Sequence, residues 1–210
     1  MTEDHIKNNE NSTIDILTAR VTAVRYELTR EQDELFGRLK IGVYYGEAAE
    51  PFPTVGDWVR IQTVEGGDSL ITGTLPRRSF FARRDPDSMG GKQQAVAANF
   101  DYVFIMTSLN RDFNTARLER YLVQAWQSGA VPVVILTKAD LCDDPAAQIA
   151  EARSVAAGAT VACGADVIPV SVVSGEELAK LNTYLTSGKT VVFLGSSGVG
   201  KSSLRIAAGG

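Results

Sequence analysis

A chain of 210 residues with 44% hydrophobic content is long enough for one large domain or two small ones, and too apolar for a wholly disordered protein. Its formal net charge of −4 excludes a generally basic molecule, so any nucleic-acid partner must be met by a local basic patch. Cys142 and Cys163 are too few for a disulfide scaffold and read as buried thiols of a reducing compartment; no Cys/His cluster offers zinc a site. The polar N-terminus lacks an apolar signal core and no stretch reaches membrane-spanning length, so a cytoplasmic protein without membrane contact is expected.

Residues 1–13 are polar without apolar periodicity and predict a mobile tail, with the single histidine, His5, solvated in it. From Ile14 the pattern is β: ILTARVTAVRYEL, FGRLKIGVYYG, VGDWVRIQTV and DSLITGTLP, each run bounded by Gly, Pro, Asp or Glu. Short strands at this spacing predict a closed OB-type barrel over residues 14–76. Gly56 and Asp57 make a bend into a strand, and Trp58 either packs inside the barrel, the reading preferred here, or serves as a base-stacking platform.

Residues 77–94 break the pattern and are expected as a basic linker ending at a Gly90-Gly91 hinge. Arg77, Arg78, Arg83, Arg84 and Lys92 surround Phe80 and Phe81. Cations that neutralise phosphates, interleaved with rings that stack on bases, suit an RNA surface; a solvated linker whose two Phe residues cap the barrel is the alternative.

Over residues 95–210 strands and helices alternate, which predicts a parallel α/β sheet. FDYVFIMTS (100–108) is a buried strand. Asn114 caps a helix with Leu118, Tyr121, Leu122, Ala125 and Trp126 on one stripe, and VPVVIL (131–136) is the next strand. Asp144-Pro145 opens a second helix, and residues 167–170 form a short third strand. Ser174-Gly175-Glu176-Glu177 reads as a capping box for a helix with Leu178, Leu181 and Leu185 on its core face.

The sheet ends in TVVFLGSSGVGKSS. Gly195-Ser196-Ser197-Gly198-Val199-Gly200-Lys201-Ser202, followed by Ser203, fits the phosphate-loop pattern G-x-x-x-x-G-K-[ST] at every fixed position. Glycines let successive N–H groups converge on an anion. Lys201 would reach the β- and γ-phosphates and Ser202 would ligate Mg²⁺, which makes these two the catalytic candidates. A plain glycine turn is the alternative, and it has no need of a Lys and a hydroxyl directly after the last Gly.

Ligands in such sheets bind beyond the strand ends. After VVIL comes Thr137-Lys138-Ala139-Asp140, and after VIPV comes Ser171-Val172-Val173. A carboxylate at Asp140 can accept from the N1–H and exocyclic amine of guanine. The Lys138 stem can lie along the base, and a backbone N–H near Val172 and Val173 can donate to O6.

With these motifs the chain resembles the circularly permuted GTPases that mature the small ribosomal subunit, the ribosome small-subunit-dependent GTPase A family. VGDWV, RRSFFAR, LERYL, VVILTKADL and FLGSSGVGKSSL carry the resemblance from about Ile14 to Leu204, and base-recognition motifs preceding the phosphate loop are its most specific part. It implies an OB-fold barrel touching 16S rRNA, a circularly permuted P-loop GTPase domain binding GTP or GDP with Mg²⁺, and the small ribosomal (30S) subunit as partner, with a monomer expected. It also implies switch segments and a C-terminal zinc-binding domain, neither of which is found here. The chain is therefore expected to be a portion of a longer protein or a truncated product, impaired in turnover.

Thr137 stands where the family commonly has Asn, and as the shorter side chain it is expected to lose part of the tie to the phosphate loop. The alternatives are a non-catalytic ribosome- or RNA-binding module with an incomplete nucleotide site, and an ATP-using P-loop enzyme.

Overall fold

The computed structural model describes residues 4–7, 13–22, 27–30, 33–45, 51–63, 67–84, 93–110, 113–142, 144–158, 164–171, 175 and 177–204. The chain divides into two compact units, Met1–Asn99 and Phe100–Gly210.

In the first unit, β1 (Asp4–Lys7) pairs antiparallel with β2 (Thr13–Val21), so the stretch expected as a mobile tail contributes a strand. Then follow β3 (Glu27–Arg30), β4 (Asp33–Leu39), a helical turn α1 (Ile41–Tyr44), β5 (Trp58–Gln62) and β6 (Ser69–Thr74). The order β2-β3-β4-β6-β5 closes through β2–β5 pairing, with β4 and β6 parallel: a closed five-stranded barrel of OB type. Its core holds Ala19, Val21, Leu28, Tyr44, Val59, Ile61 and Ile71.

Two expectations change here. The strand through FGRLKIGVYYG stops at Leu39; the helical turn that follows sends Tyr44 into the barrel, its hydroxyl 2.9 Å from that of Thr74. Trp58 does not pack inside. Val59 and Ile61 take the inner face of β5, so the strand's period of two puts Trp58 outside, 42% exposed.

The Gly56-Asp57 bend is a structural hub. Gly56 has φ +91°, and a Cβ there would lie 2.0 Å from the Ala98 carbonyl oxygen, so only glycine fits. Asp57 is fully buried; its carboxylate accepts from the Thr54 N–H at 2.8 Å and from Arg77 Nε and Nη2 at 2.9 and 2.7 Å. The residues expected as a linker supply β7 (Phe80–Arg84), which pairs antiparallel with β8 (Gln93–Ala98); the Gly90-Gly91 hinge lies outside the described residues. Asn99, held at φ +54°, donates from its amide to the Gly56 carbonyl at 3.1 Å and accepts from the Arg78 N–H at 2.9 Å.

The second unit is a four-stranded parallel sheet in the order β11-β10-β9-β12: β9 (Tyr102–Ser108), β10 (Val131–Thr137), β11 (Asp166–Pro169) and β12 (Val191–Gly195). β9 and β10 are buried almost throughout, as continuous apolar runs require. Helix α2 (Thr115–Gln127) starts at Asn114, whose side chain accepts from the Arg117 N–H at 2.8 Å, and buries Leu118, Leu122 and Ala125. Helix α3 (Pro145–Gly158) buries Ala152 and Ala156.

Glu177, expected inside the first helical turn, is not helical. Gly175 and Glu177 are left-handed, at φ +75° and +61°, and Glu177 pairs with the Lys180 ammonium without capping a backbone N–H. The helix is accordingly a 3₁₀ segment, Leu178–Thr183, though Leu178, Leu181 and Leu185 do pack on the sheet. Ser174 and Glu176 lie outside the described residues. Among the described residues, no helix is long and apolar enough to cross a membrane. Cys142 is a half-buried free thiol, and Cys163 falls outside.

Candidate functional site

The carboxyl ends of β10, β11 and β12 carry the motifs read from the sequence. β12 delivers Gly195 into the phosphate loop; a Cβ at Gly195 would lie 2.5 Å from the Met106 carbonyl oxygen, so the close approach of β12 to β9 demands glycine. Gly198 and Gly200 turn the loop at φ +75° and +99°. Between them Val199 is 2% exposed and packs into the core with Phe104, Met106 and Leu204. The loop is thus pinned by one apolar side chain, a role not assigned to Val199 from sequence. Its signal is an isolated apolar residue among small and polar ones. Residues 201–204 are helical, with the Leu204 N–H donating to the Gly200 carbonyl at 2.9 Å.

Thr137, at the end of β10, reaches this loop. Its hydroxyl donates to the Val199 carbonyl at 2.8 Å and lies 3.4 Å from the Thr107 carbonyl oxygen. Threonine is expected to keep only part of the tie, and the buried Thr137 hydroxyl makes one bond to the loop backbone, at Val199. Lys138 follows at φ +59°, and its carbonyl accepts from the Leu141 N–H at 3.0 Å, which starts the single turn Ala139–Leu141 bearing Asp140.

Asp140 is exposed, and one of its oxygens accepts from the hydroxyl of fully buried Ser171 at 2.7 Å. Ser171 is positioned by the end of β11, where the Val170 N–H donates to the Leu136 carbonyl at 2.7 Å. One carboxylate oxygen is so oriented from behind while the exposed group keeps acceptor capacity for a ligand. Sequence reading placed Ser171 in the site without this role. Val172 and Val173 lie outside the described residues.

Lys201 donates to the Gly195 and Ser196 carbonyls at 2.9 and 2.7 Å, so the ammonium sits across the loop. Ser196, Ser197, Ser202 and Ser203 complete the segment, with Ser202 and Ser203 exposed. The donor set suits a magnesium-bound phosphate chain. A Cβ built at Gly198 or Gly200 meets nothing within 4 Å, which leaves open space over the loop, and Ser202 offers an accessible hydroxyl. Among the described residues no group of three or more His, Cys, Asp or Glu side chains could hold a metal alone, so phosphate oxygens and waters would supply the remaining ligands.

The basic stretch resolves differently. Arg77, expected to face RNA, commits its guanidinium to Asp57 and to the Phe52 carbonyl at 3.0 Å, and lies 4.4 Å over the Phe80 ring. Arg78 and Arg83 are exposed, Arg83 donating to the Gln94 side chain at 2.8 Å. Arg84 ends β7, and Lys92 lies outside the described residues.

A parallel sheet that brings a T-K-x-D strand end and a later phosphate loop to one edge, in a chain that begins with an OB-type barrel, defines a circularly permuted protein of the P-loop nucleotide-binding class. Residues 74–207 match the family model described as RsgA GTPase, and the chain belongs to that family.

The small ribosomal subunit biogenesis GTPase RsgA 2 of Lactiplantibacillus plantarum is 42% identical over 205 residues, covering 87% of this chain and 56% of that protein. The small ribosomal subunit biogenesis GTPase RsgA 1 of Listeria monocytogenes is 44% identical over 189 residues, covering 88% and 50%. The chain spans about half the length of the curated relatives it matches.

In fold it is similar to YjeQ from Thermotoga maritima, with TM-score 0.73 and 22% identity over 92% of this chain and 65% of that one. It is likewise similar to YloQ, a circularly permuted GTPase, with TM-score 0.67 and 23% identity over 95% and 66%.

Proposed function

We propose that this chain binds a guanine nucleotide with Mg²⁺ as part of a GTPase acting in maturation of the small ribosomal subunit, in the cytoplasm, with its barrel unit contacting rRNA. The observation that carries the reading is the Thr137–Val199 hydrogen bond, which ties the base-reading strand end to the phosphate loop. The names of the relatives support the ribosomal part.

In this reading Asp140, oriented by Ser171, accepts from the two guanine donors that adenine lacks on that edge, and Lys138 lies along the base. The amides of Ser196 to Ser202 receive the phosphates, and Lys201 exchanges its two carbonyl partners for phosphate oxygens. Mg²⁺, held by Ser202, would neutralise charge on the β- and γ-phosphates. Calorimetric titration with GDP, a non-hydrolysable GTP analogue and ATP tests the site. Guanine-selective binding lost in Lys201→Ala supports it, while equal ATP binding overturns it. Co-sedimentation with small ribosomal subunits, stronger with the GTP analogue than with GDP, tests the ribosomal role.

A further inference from the structure

The phosphate loop contains one side chain that a phosphate cannot use. Between left-handed Gly198 and Gly200, at φ +75° and +99°, Val199 turns inward and is 2% exposed. It joins a core cluster drawn from three strands of the sheet, with Phe104 and Met106 of β9, Ile135 of β10 and Ile168 of β11, together with Leu181 of the 3₁₀ segment. The loop also curls onto it: a Cβ built at Gly195 would stand 3.2 Å from Val199 Cγ1, so the start of the loop lies directly against this side chain. The main chain is held as well, since the Val199 carbonyl accepts from the Thr137 hydroxyl at 2.8 Å. Both the side chain and the carbonyl of one residue are thus fixed to groups outside the loop.

The consequence follows from what surrounds it. Glycine loses more backbone freedom on ordering than any other residue, and Gly195, Gly198 and Gly200 all lie in this short segment. A loop of glycines and serines alone would be ordered only by its ligand, and the entropy lost would be subtracted from the binding free energy. Burial of the Val199 methyls moves that ordering to the folding step.

We infer that Val199 is a positioning residue: it sets the phosphate loop in its anion-receiving shape before nucleotide arrives, and its fit in the core governs how long the nucleotide stays. The inference rests on the proposed guanine-nucleotide site and adds the residue that controls release from it. Val199 cannot act by touching phosphate with its side chain, which lies in the core; it acts through the backbone on either side of it. Thr137 holds the same residue by one hydrogen bond, while the side chain holds it by packing.

The test uses the 210-residue chain and its variants Val199→Ala, Val199→Cys and Leu181→Val. Release of a fluorescent GDP is followed by stopped flow against excess unlabelled GDP, and hydrogen exchange of the loop amides is followed without nucleotide. Val199→Ala should release GDP about tenfold faster, its weaker binding should appear in calorimetry as a larger entropic cost, and its loop amides should exchange faster than the parent's. Val199→Cys, the milder truncation, should fall between the two, and it carries the test if the alanine variant does not fold. Leu181→Val loosens the same cluster away from the loop. It should lower the urea midpoint, yet release GDP within about twofold of the parent and leave loop-amide exchange unchanged.

Release from Val199→Ala and Val199→Cys at the parent's rate would overturn the inference and leave the loop's shape to its glycines and the Thr137 bond. Equal acceleration by Leu181→Val would overturn it too, because release would then report overall stability. If the parent takes up no guanine nucleotide, the proposed function falls and the inference with it; a parent that binds GDP and variants that release it no faster would sink the inference alone.

Discussion

The Thr137 hydroxyl donates to the Val199 carbonyl at 2.8 Å, joining residues 62 positions apart. It ties two motifs together, because Val199 anchors the phosphate loop and Thr137 lies just before the turn that bears Asp140. Thr137→Val should keep the fold, lower stability by about 1 kcal/mol and weaken GDP binding severalfold, since an apolar isostere removes the donor. Thr137→Asn, which restores a donor of greater reach, should bind at least as well as Thr137→Val. Titration calorimetry and urea denaturation give both numbers.

Thr107, on the neighbouring strand, predicts the opposite. Its hydroxyl is buried with no hydrogen-bond partner among the described residues. Thr107→Val should therefore be neutral or stabilising, by up to about 1 kcal/mol, because it removes an unsatisfied polar atom at nearly constant shape. Loss of stability comparable to that of Thr137→Val would show that the hydroxyl has a partner.

Arg77 and Asp57 form a pair in which the carboxylate is fully buried. Arg77→Met should cost about 3–5 kcal/mol, since it strands a buried charge. Arg83→Ala, at an exposed position, should cost less than about 0.5 kcal/mol. Denaturant midpoints of the two variants would separate a structural arginine from a surface one.

How far the sequence could be read follows from the range of each interaction. Continuous apolar runs and a helix stripe are local patterns, so β9, β10 and α2 were legible. The phosphate loop was legible because its spacing is fixed within eight residues. Trp58 was not, because alternation defines two faces and only barrel closure chooses the inner one. Arg77 looked like an RNA contact because Asp57 lies 20 positions away. The helix was expected to start earlier than it does because the left-handed conformation of Gly175 and Glu177 is not disclosed by the letters alone.

Tyr184 donates to the Asp166 carboxylate, and burial first, then that hydrogen bond and the carboxylate charge, push its pKa from 10.0 up to about 12. The folded-state value lies above the unfolded one, so the stabilisation is complete below pH 10 and is lost as pH rises through about 12. The stability difference between the parent and Tyr184→Phe should shrink across that window in urea melts. A difference independent of pH there would contradict the coupling.

The claim that Asp140 reads the base is tested most directly by exchanging the hydrogen-bond pattern on both sides. Xanthine carries a carbonyl where guanine carries the exocyclic amine. Asp140→Asn, which keeps an oxygen for Ser171, presents a donor there. Titration of parent and variant with GDP and xanthosine diphosphate should show a crossed preference, the parent favouring GDP and Asp140→Asn favouring xanthosine diphosphate, each by tenfold or more at about 1–3 kcal/mol per unpaired polar group. An unchanged preference for GDP in the variant would mean that Asp140 does not touch the base, and that the two motifs share a sheet edge without forming one nucleotide site.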